Sequence, residues 1–208
     1  MGLSSPRLSR ALRSSARSLA VALSLATAVV TASAGCSDDD DDGGAAGSGG
    51  GATTRAVTIP FVARVADKAF ACGQTYENLG TSKTTAKPLD FRLYVHDVRL
   101  VRAGGEEVPV TLDQDGTWQN GGVALLDFED GTADCTDGDA ALNTSIKGTV
   151  PDHDDYQGIA FRFGLPADRN HLDSATATAP LNIPAMWWSW QSGYKYLKLD
   201  LSTRRFKD

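Results

Sequence analysis

The sequence predicts an all-β fold: a single antiparallel β-sandwich-like domain behind a signal peptide and a disordered linker. Three observations carry this expectation. Short runs alternate apolar and polar residues with period two, as in Val57, Ile59, Phe61, Ala63 and Val65. Clusters rich in Gly, Pro, Asp and Asn separate the runs, among them "RAGGEE", "DQDG", "EDGTADCTDGD", "VPDHDD" and "LPADRN". No stretch carries an apolar stripe at helical spacing over three turns, and only Ala140 to Ile146 reads as a short helix. Many short strands with such punctuation make a sandwich or barrel the default architecture.

The N-terminus comes first. Residues 1–35 contain Arg7, Arg10, Arg13 and Arg17 and no acidic residue, followed by the apolar run "LAVALSLATAVV" from Leu19 to Val30. That run is shorter than the roughly 20 residues a membrane-spanning helix needs. A basic front, a short apolar centre and a small-residue end form a secretory signal. The end, "SAGC", resembles a bacterial lipobox, so residues 1–35 are expected to be removed and Cys36 to carry lipid. Ser37 after it leans towards the outer membrane. The expected location is the cell envelope, periplasmic or outer-membrane, with a lipid anchor. Residues 36–55 hold five consecutive aspartates and a Gly/Ser run, the composition of a flexible tether.

The β domain is expected over residues 56–208. Its strand candidates, in order, are "VTIPFVARV", with Pro60 favouring an edge or a bulge, "FRLYVHDVRLV", "EEVPVTL", "GVALLDF", "YQGIAFRFGL" and "YKYLKLDL". In the second, Phe91, Leu93 and Val95 share one face, and the apolar phase then shifts to Val98 and Leu100. That slip predicts a β-bulge at His96–Asp97. In the last, Leu197, Leu199 and Leu201 are expected inside, against Tyr196, Lys198 and Asp200. With Cys36 lipidated, Cys72 and Cys135 remain, and an exported chain with two cysteines most simply joins them.

Charge narrows the partners. The whole chain has net charge −6. Removing the four N-terminal arginines leaves 16 basic against 26 acidic residues, so the exported part stands at −10. Nucleic-acid binding wants a basic face and is not expected. The sequence has no GxSxG, P-loop, HExxH or CxxCH motif, so an intrinsic hydrolase is unsupported, and the chain is expected to be a binding protein and not an enzyme. The Glu129–Asp139 run lacks the ligand order of an EF-hand and reads as a solvated acidic loop. The three histidines are His96, His153 and His171. Trp187, Trp188 and Trp190 cluster within four residues, and Trp118 lies apart. Such a cluster fills a core, stacks on sugar rings, or forms a site.

The residues "MWWSWQSGYKYLKLD" (Met186–Asp200) resemble the M-F/Y-W-S-W-Q-x-G-Y-K-F-L-x-x-D signature of the MbnP-like family. "FACG" (Phe70–Gly73), "FRLYVHDVRLV" (Phe91–Val101), "LLDFEDGTADC" (Leu125–Cys135) and the stretch from Gly158 to Asn182 resemble further family segments, in order. The resemblance implies an exported copper-binding protein, a family known from methanobactin operons. It implies copper held by histidines and by a kynurenine that a di-haem partner of the cytochrome c peroxidase/MauG type makes from a tryptophan. Indole has no free lone pair for a metal, whereas the opened ring exposes an aniline nitrogen. Reduced copper accepts imidazole and low coordination. By this resemblance His171, in the "NH" pair Asn170–His171, is the first candidate ligand and His96 the second. Trp188 and Trp190 match the W-x-W positions, and Trp187 replaces the usual Phe or Tyr. Two departures stand out: the family has four cysteines, and a C-terminal segment with a histidine is absent here. One candidate ligand is therefore expected to be missing. The alternative expectation is a carbohydrate-binding or adhesive sandwich that uses Trp188 and Trp190 as a platform.

Overall fold

The computed structural model describes residues 53–204. The expected signal peptide, the lipidation at Cys36 and most of the linker lie outside them. The strands are β1 (Thr54–Pro60), β2 (Arg64–Val65), β3 (Lys68–Ala69), β4 (Tyr76–Leu79), β5 (Thr84–Arg102), β6 (Glu107–Pro109) and β7 (Thr111–Leu112). They continue with β8 (Gln119–Asn120), β9 (Val123–Asp127), β10 (Ser145–Pro151), β11 (Tyr156–Phe163), β12 (Trp187–Ser189), β13 (Gly193–Tyr194) and β14 (Leu197–Arg204). Among the described residues the only helix is one 3-10 turn, Pro184–Met186. The all-β expectation holds, and the first described strand begins at Thr54.

β5, 19 residues long, organises a seven-stranded antiparallel sheet. Along one side it pairs with β14, Leu197 opposite Leu93, and then with β11, Phe163 opposite Val95. Along the other it meets β4, β9 and β6 in turn, and β8 extends from β9. A second sheet, in the order β1-β10-β7, packs against one face. Its Ile59, Ile146 and Val150 meet Phe91, Leu93, Val95, Ala124 and Leu126 in a common core. Phe91 stacks on Phe128 with ring centroids 5.1 Å apart, and Phe70 meets it edge-on at 5.2 Å.

The predicted bulge is present. Arg99 faces Ala160 and His96 faces Arg162, so β5 spends one residue more than β11, with Asp97 at φ +51°. This extra residue keeps Val98 and Leu100 in the same core as Phe91, Leu93 and Val95. It therefore accounts for the phase shift in the sequence.

Two element expectations are corrected. Ala140–Ile146 is not helical. Asn143 bridges Asp127 through both backbone groups and its side-chain amide donates to the Leu125 carbonyl at 2.6 Å. Ser145 and Ile146 open β10, paired with Pro60 and Ile59. In β14 the burial phase is reversed at the ends: Leu197 and Leu201 are exposed and Lys198 is buried. Lys198 sits opposite Arg92 and binds Asp90 Oδ2 at 2.6 Å and Asp137 Oδ2 at 2.7 Å. Asp90 also accepts from the Arg92 guanidinium through both carboxylate oxygens. Burial of these charges is tolerated because each is paired.

Asp90, Arg92 and Tyr94 point away from the sandwich core, yet all three are buried. Two segments cover this outer face. The 128–143 loop contacts Arg92 and Lys198 through Asp137. Residues 164–196 build a second core there, in which Tyr94, Val123 and Leu125 pack with Leu165, Leu181, Met186 and Tyr194. Cys72 and Cys135 are joined as expected, with S–S 2.09 Å and Cα–Cα 5.9 Å.

Candidate metal centre

The covering segment holds His171 and the tryptophan cluster, while His96 lies on β5. Two tyrosines pin it. The Tyr94 hydroxyl donates to the Pro180 carbonyl at 2.9 Å and the Tyr194 hydroxyl to the Leu181 carbonyl at 2.6 Å. The rings meet edge-on, 6.0 Å apart at 88°. Burial raises both hydroxyl pKa values, that of Tyr194 to about 12, so both stay neutral donors.

β12 and β13 form the tryptophan hairpin, with Trp187 opposite Tyr194 and Ser189 opposite Gly193. Trp187 is half-buried against the second core, and its buried indole N–H has no acceptor among the described residues. Trp188 and Trp190 are each 67 % exposed. The Lys195 ammonium sits 4.6 Å above the Trp188 ring while donating to the Ala185 carbonyl at 2.8 Å. Trp118 packs at the edge of the second core, away from the hairpin in sequence.

Asn170 fastens the hairpin to the loop that carries His171. Its side-chain oxygen accepts the Tyr194 N–H at 3.1 Å. Gly193, at φ +78°, makes this approach possible: a Cβ there would lie 2.5–2.6 Å from Asn170 atoms, including its carbonyl oxygen. His171 is exposed, and its Nδ1 lies 2.7 Å from the Trp190 carbonyl. His96, half-buried beside the bulge, places its Nδ1 2.9 Å from the Gly164 carbonyl. A carbonyl only accepts, so in both rings Nδ1 carries the proton. In the neutral ring Nε2 then holds the free lone pair. Metal-bound histidines are commonly oriented in this way, by a carbonyl or carboxylate behind the ring. At His171 the Asn170 amide nitrogen lies 3.5 Å from Nε2.

The structure thus ties His171 to the tryptophan hairpin and His96 to the start of the same covering segment. His153 lies elsewhere, its ring 5.9 Å from that of Tyr156. Among the described residues, the cluster of three or more His, Cys, Asp or Glu donors is Cys72, Glu129 and Cys135, which includes neither histidine. With its cysteines joined, that cluster offers no thiolate in this state.

The family model for MbnP matches residues 54–207. The solved structure "MbnP from Methylosinus trichosporium" superposes with a TM-score of 0.61 at 33 % identity, covering 74 % of this chain and 60 % of that one. The chain belongs to the MbnP family. It spans about 60 % of the length of that solved MbnP. No match was found among curated proteins.

Sequence reasoning missed one part of this MbnP domain, the buried polar layer beneath the 128–143 loop. Asp90, Arg92, Asp127, Glu129 and Lys198 are all buried there. Burial pushes the Asp127 carboxyl up to about 7, although the Glu129 N–H and Arg92 pull it down. Burial likewise raises Glu129, against a hydrogen bond from the Gly131 N–H. The available signal was "DFR" alternation in β5, which reads as a solvated face unless another segment covers it.

Proposed function

We propose that this protein is an exported, non-catalytic copper-binding member of the MbnP family. Its ligands are His171 and His96 through Nε2, completed by the aniline nitrogen of a kynurenine made from the hairpin tryptophans. The observation that carries this reading is the shared orientation of the two histidines, each with Nδ1–H donated to a main-chain carbonyl of one covering segment. Neutral imidazoles suit copper. Copper, when bound, would supply a Lewis-acidic, redox-active centre, while the chain's own residues hold both rings in the coordinating tautomer. The Trp190 carbonyl is the group that orients His171, and its exposed side chain is open to an oxidising partner. Trp190 is therefore our first choice for modification, before Trp188 and the half-buried Trp187. The oxidant is dioxygen, or two equivalents of hydrogen peroxide, delivered through a di-haem partner. Two oxygen atoms add across the indole C2–C3 bond, which breaks. Hydrolysis then releases C2 as formate. A lipid anchor at Cys36 holds the domain at the cell envelope.

The experiment is peptide mass spectrometry of the protein co-expressed with its di-haem neighbour, followed by copper titration. A gain of about 4 Da on one hairpin tryptophan, as its indole chemistry requires, together with one copper bound per modified chain, is expected. His171→Ala and His96→Ala should each lower that copper affinity. Modification without copper binding, or copper binding indifferent to both histidines, overturns the reading. The exposure of Trp188 and Trp190 favours a second reading, a carbohydrate platform, although Lys195 occupies one face of Trp188. That reading requires sugar affinity by unmodified rings, lost in Trp190→Ala, with no copper dependence.

A further inference from the structure

Outside the histidine site, one constellation has ligand chemistry of its own. Cys72 Sγ, Cys135 Sγ and a Glu129 carboxylate oxygen all lie within 4.8 Å of one another. Cys135 and Glu129 are fully buried, and Cys72 is half-buried. Glu129 is held there from two sides. Its Oε2 accepts the Gly131 N–H at 3.0 Å. Its Oε1 lies against Gly138, where any Cβ would come within 1.0 Å of it. Among the described residues, that buried Oε1 has no hydrogen-bond partner. A buried carboxylate oxygen without a partner is costly in a protein that otherwise pairs its buried charges. The Glu129 carboxylate sits beside two sulfurs, with the Pro88 carbonyl 3.8 Å from Cys135 Sγ.

We propose that Cys72, Cys135 and Glu129 form a redox-gated site for a thiophilic d10 cation, closed by the disulfide and opened by its reduction. A phosphine reductant breaks the S–S bond by delivering two electrons and becomes the phosphine oxide with oxygen from water. Two protons go to the sulfurs. A divalent cation then displaces both thiol protons, and Glu129 supplies a hard oxygen beside two soft thiolates. That donor set suits tetrahedral d10 ions. In such a site two sulfurs bonded at about 2.3 Å stand roughly 3.8 Å apart. The 5.9 Å Cα separation accommodates that distance. Unpaired Oε1 then gains the partner it lacks in the disulfide form. This site shares no residue with the proposed copper ligands.

The test uses cadmium(II) as the probe on the full chain with Cys36→Ser, which removes the third thiol, followed by thiolate-to-cadmium ultraviolet absorbance, with near-ultraviolet circular dichroism reporting the fold. The oxidised protein should show no thiolate band. The phosphine-reduced protein should keep its fold and bind one equivalent with the band. Reduced Glu129→Gln should bind about tenfold more weakly or worse. Reduced Gly138→Ala, which moves Glu129 without removing it, should weaken binding similarly and substitutes for Glu129→Gln if that variant misfolds. Absence of the band in the reduced Cys36→Ser chain, loss of fold on reduction, or undiminished affinity in both variants overturns the proposal.

Discussion

Gly193→Ala tests whether the hairpin holds the histidine loop in place. In the native chain Gly193 adopts φ +78° and lies so close to Asn170 that a Cβ would sit 2.5 Å from its amide nitrogen and 2.6 Å from its backbone oxygen. An alanine in the left-handed region costs about 1–2 kcal/mol. The side chain of Asn170 can swing aside, but its carbonyl cannot, so the 170–171 backbone must retreat. That breaks the Tyr194 N–H bond to Asn170, worth about 1 kcal/mol. The sum is about 2–3 kcal/mol, or roughly 4–12 °C in Tm for a domain of this size. Retreat also pulls His171 from the Trp190 carbonyl, so copper affinity of the modified protein should fall by about tenfold or more. Calorimetry and competition titration with a copper(I) chelator read the two effects. If Gly193→Ala keeps its Tm and its affinity, the hairpin does not position His171.

The buried polar layer gives further expectations. Lys198→Met leaves Asp90 with Arg92 alone, and should cost about 3 kcal/mol, the low end for breaking a buried pair because the guanidinium fork remains. Urea melts should show a lower midpoint without a change in slope. Asp127 carries a carboxyl raised by burial to about 7. The folded chain therefore holds that proton more tightly than the unfolded chain. Its contribution to stability is complete below pH of about 4 and is lost as pH rises to about 7, with a slope of at most about 1.4 kcal/mol per unit. Asp127→Asn should flatten that decline in melts taken from pH 4 to 8, and an unchanged slope refutes the assignment. Gly148→Ala should destabilise the three-stranded sheet, since a Cβ there would lie 2.3 Å from the Thr111 carbonyl. A thermal shift of less than about 1 °C, under half of what 1 kcal/mol produces in such a domain, would show that the β10–β7 contact can relax.

What was legible followed period and punctuation. The bulge at His96–Asp97 showed because the apolar phase must slip when one residue is added to a strand with a single buried face. The Cys72–Cys135 bond followed from counting. β10 escaped because Gly148 interrupts "SIKGTVP", yet Ile146 and Val150 do face the core. The glycine is there for close approach to Thr111, a contact that no local pattern records. Lys198 misled for a different reason. Its strand alternates leucine with polar residues, and alternation says which residues share a face, not which face is covered. The three-stranded sheet packs on the leucine side but leaves Leu197 and Leu201 exposed. The other side is closed by a loop whose anchor, Asp137, lies 61 residues away, and by Asp90, 108 residues away.

The same logic governs the candidate site. Tryptophans and histidines could be named from the chain, but not the group behind each imidazole, because main-chain carbonyls have no sequence signature. Gly164 and Trp190 act through their backbone. Their role requires that residues 164–196 lie over the outer face of β5, where Tyr94 and Tyr194 hold them by two hydroxyls. The proposed copper site depends on that second layer. The carbonyls that hold the two rings belong to the covering segment and not to the β1-β10-β7 sheet. Tyr94→Phe and Tyr194→Phe together should therefore loosen the histidines while leaving the β1-β10-β7 sheet and its core in place. Hydrogen exchange should show faster exchange confined to residues 164–196. Equal loss of protection in β1 and β10 would mean that the two layers fold as one unit and that the site has no separate support.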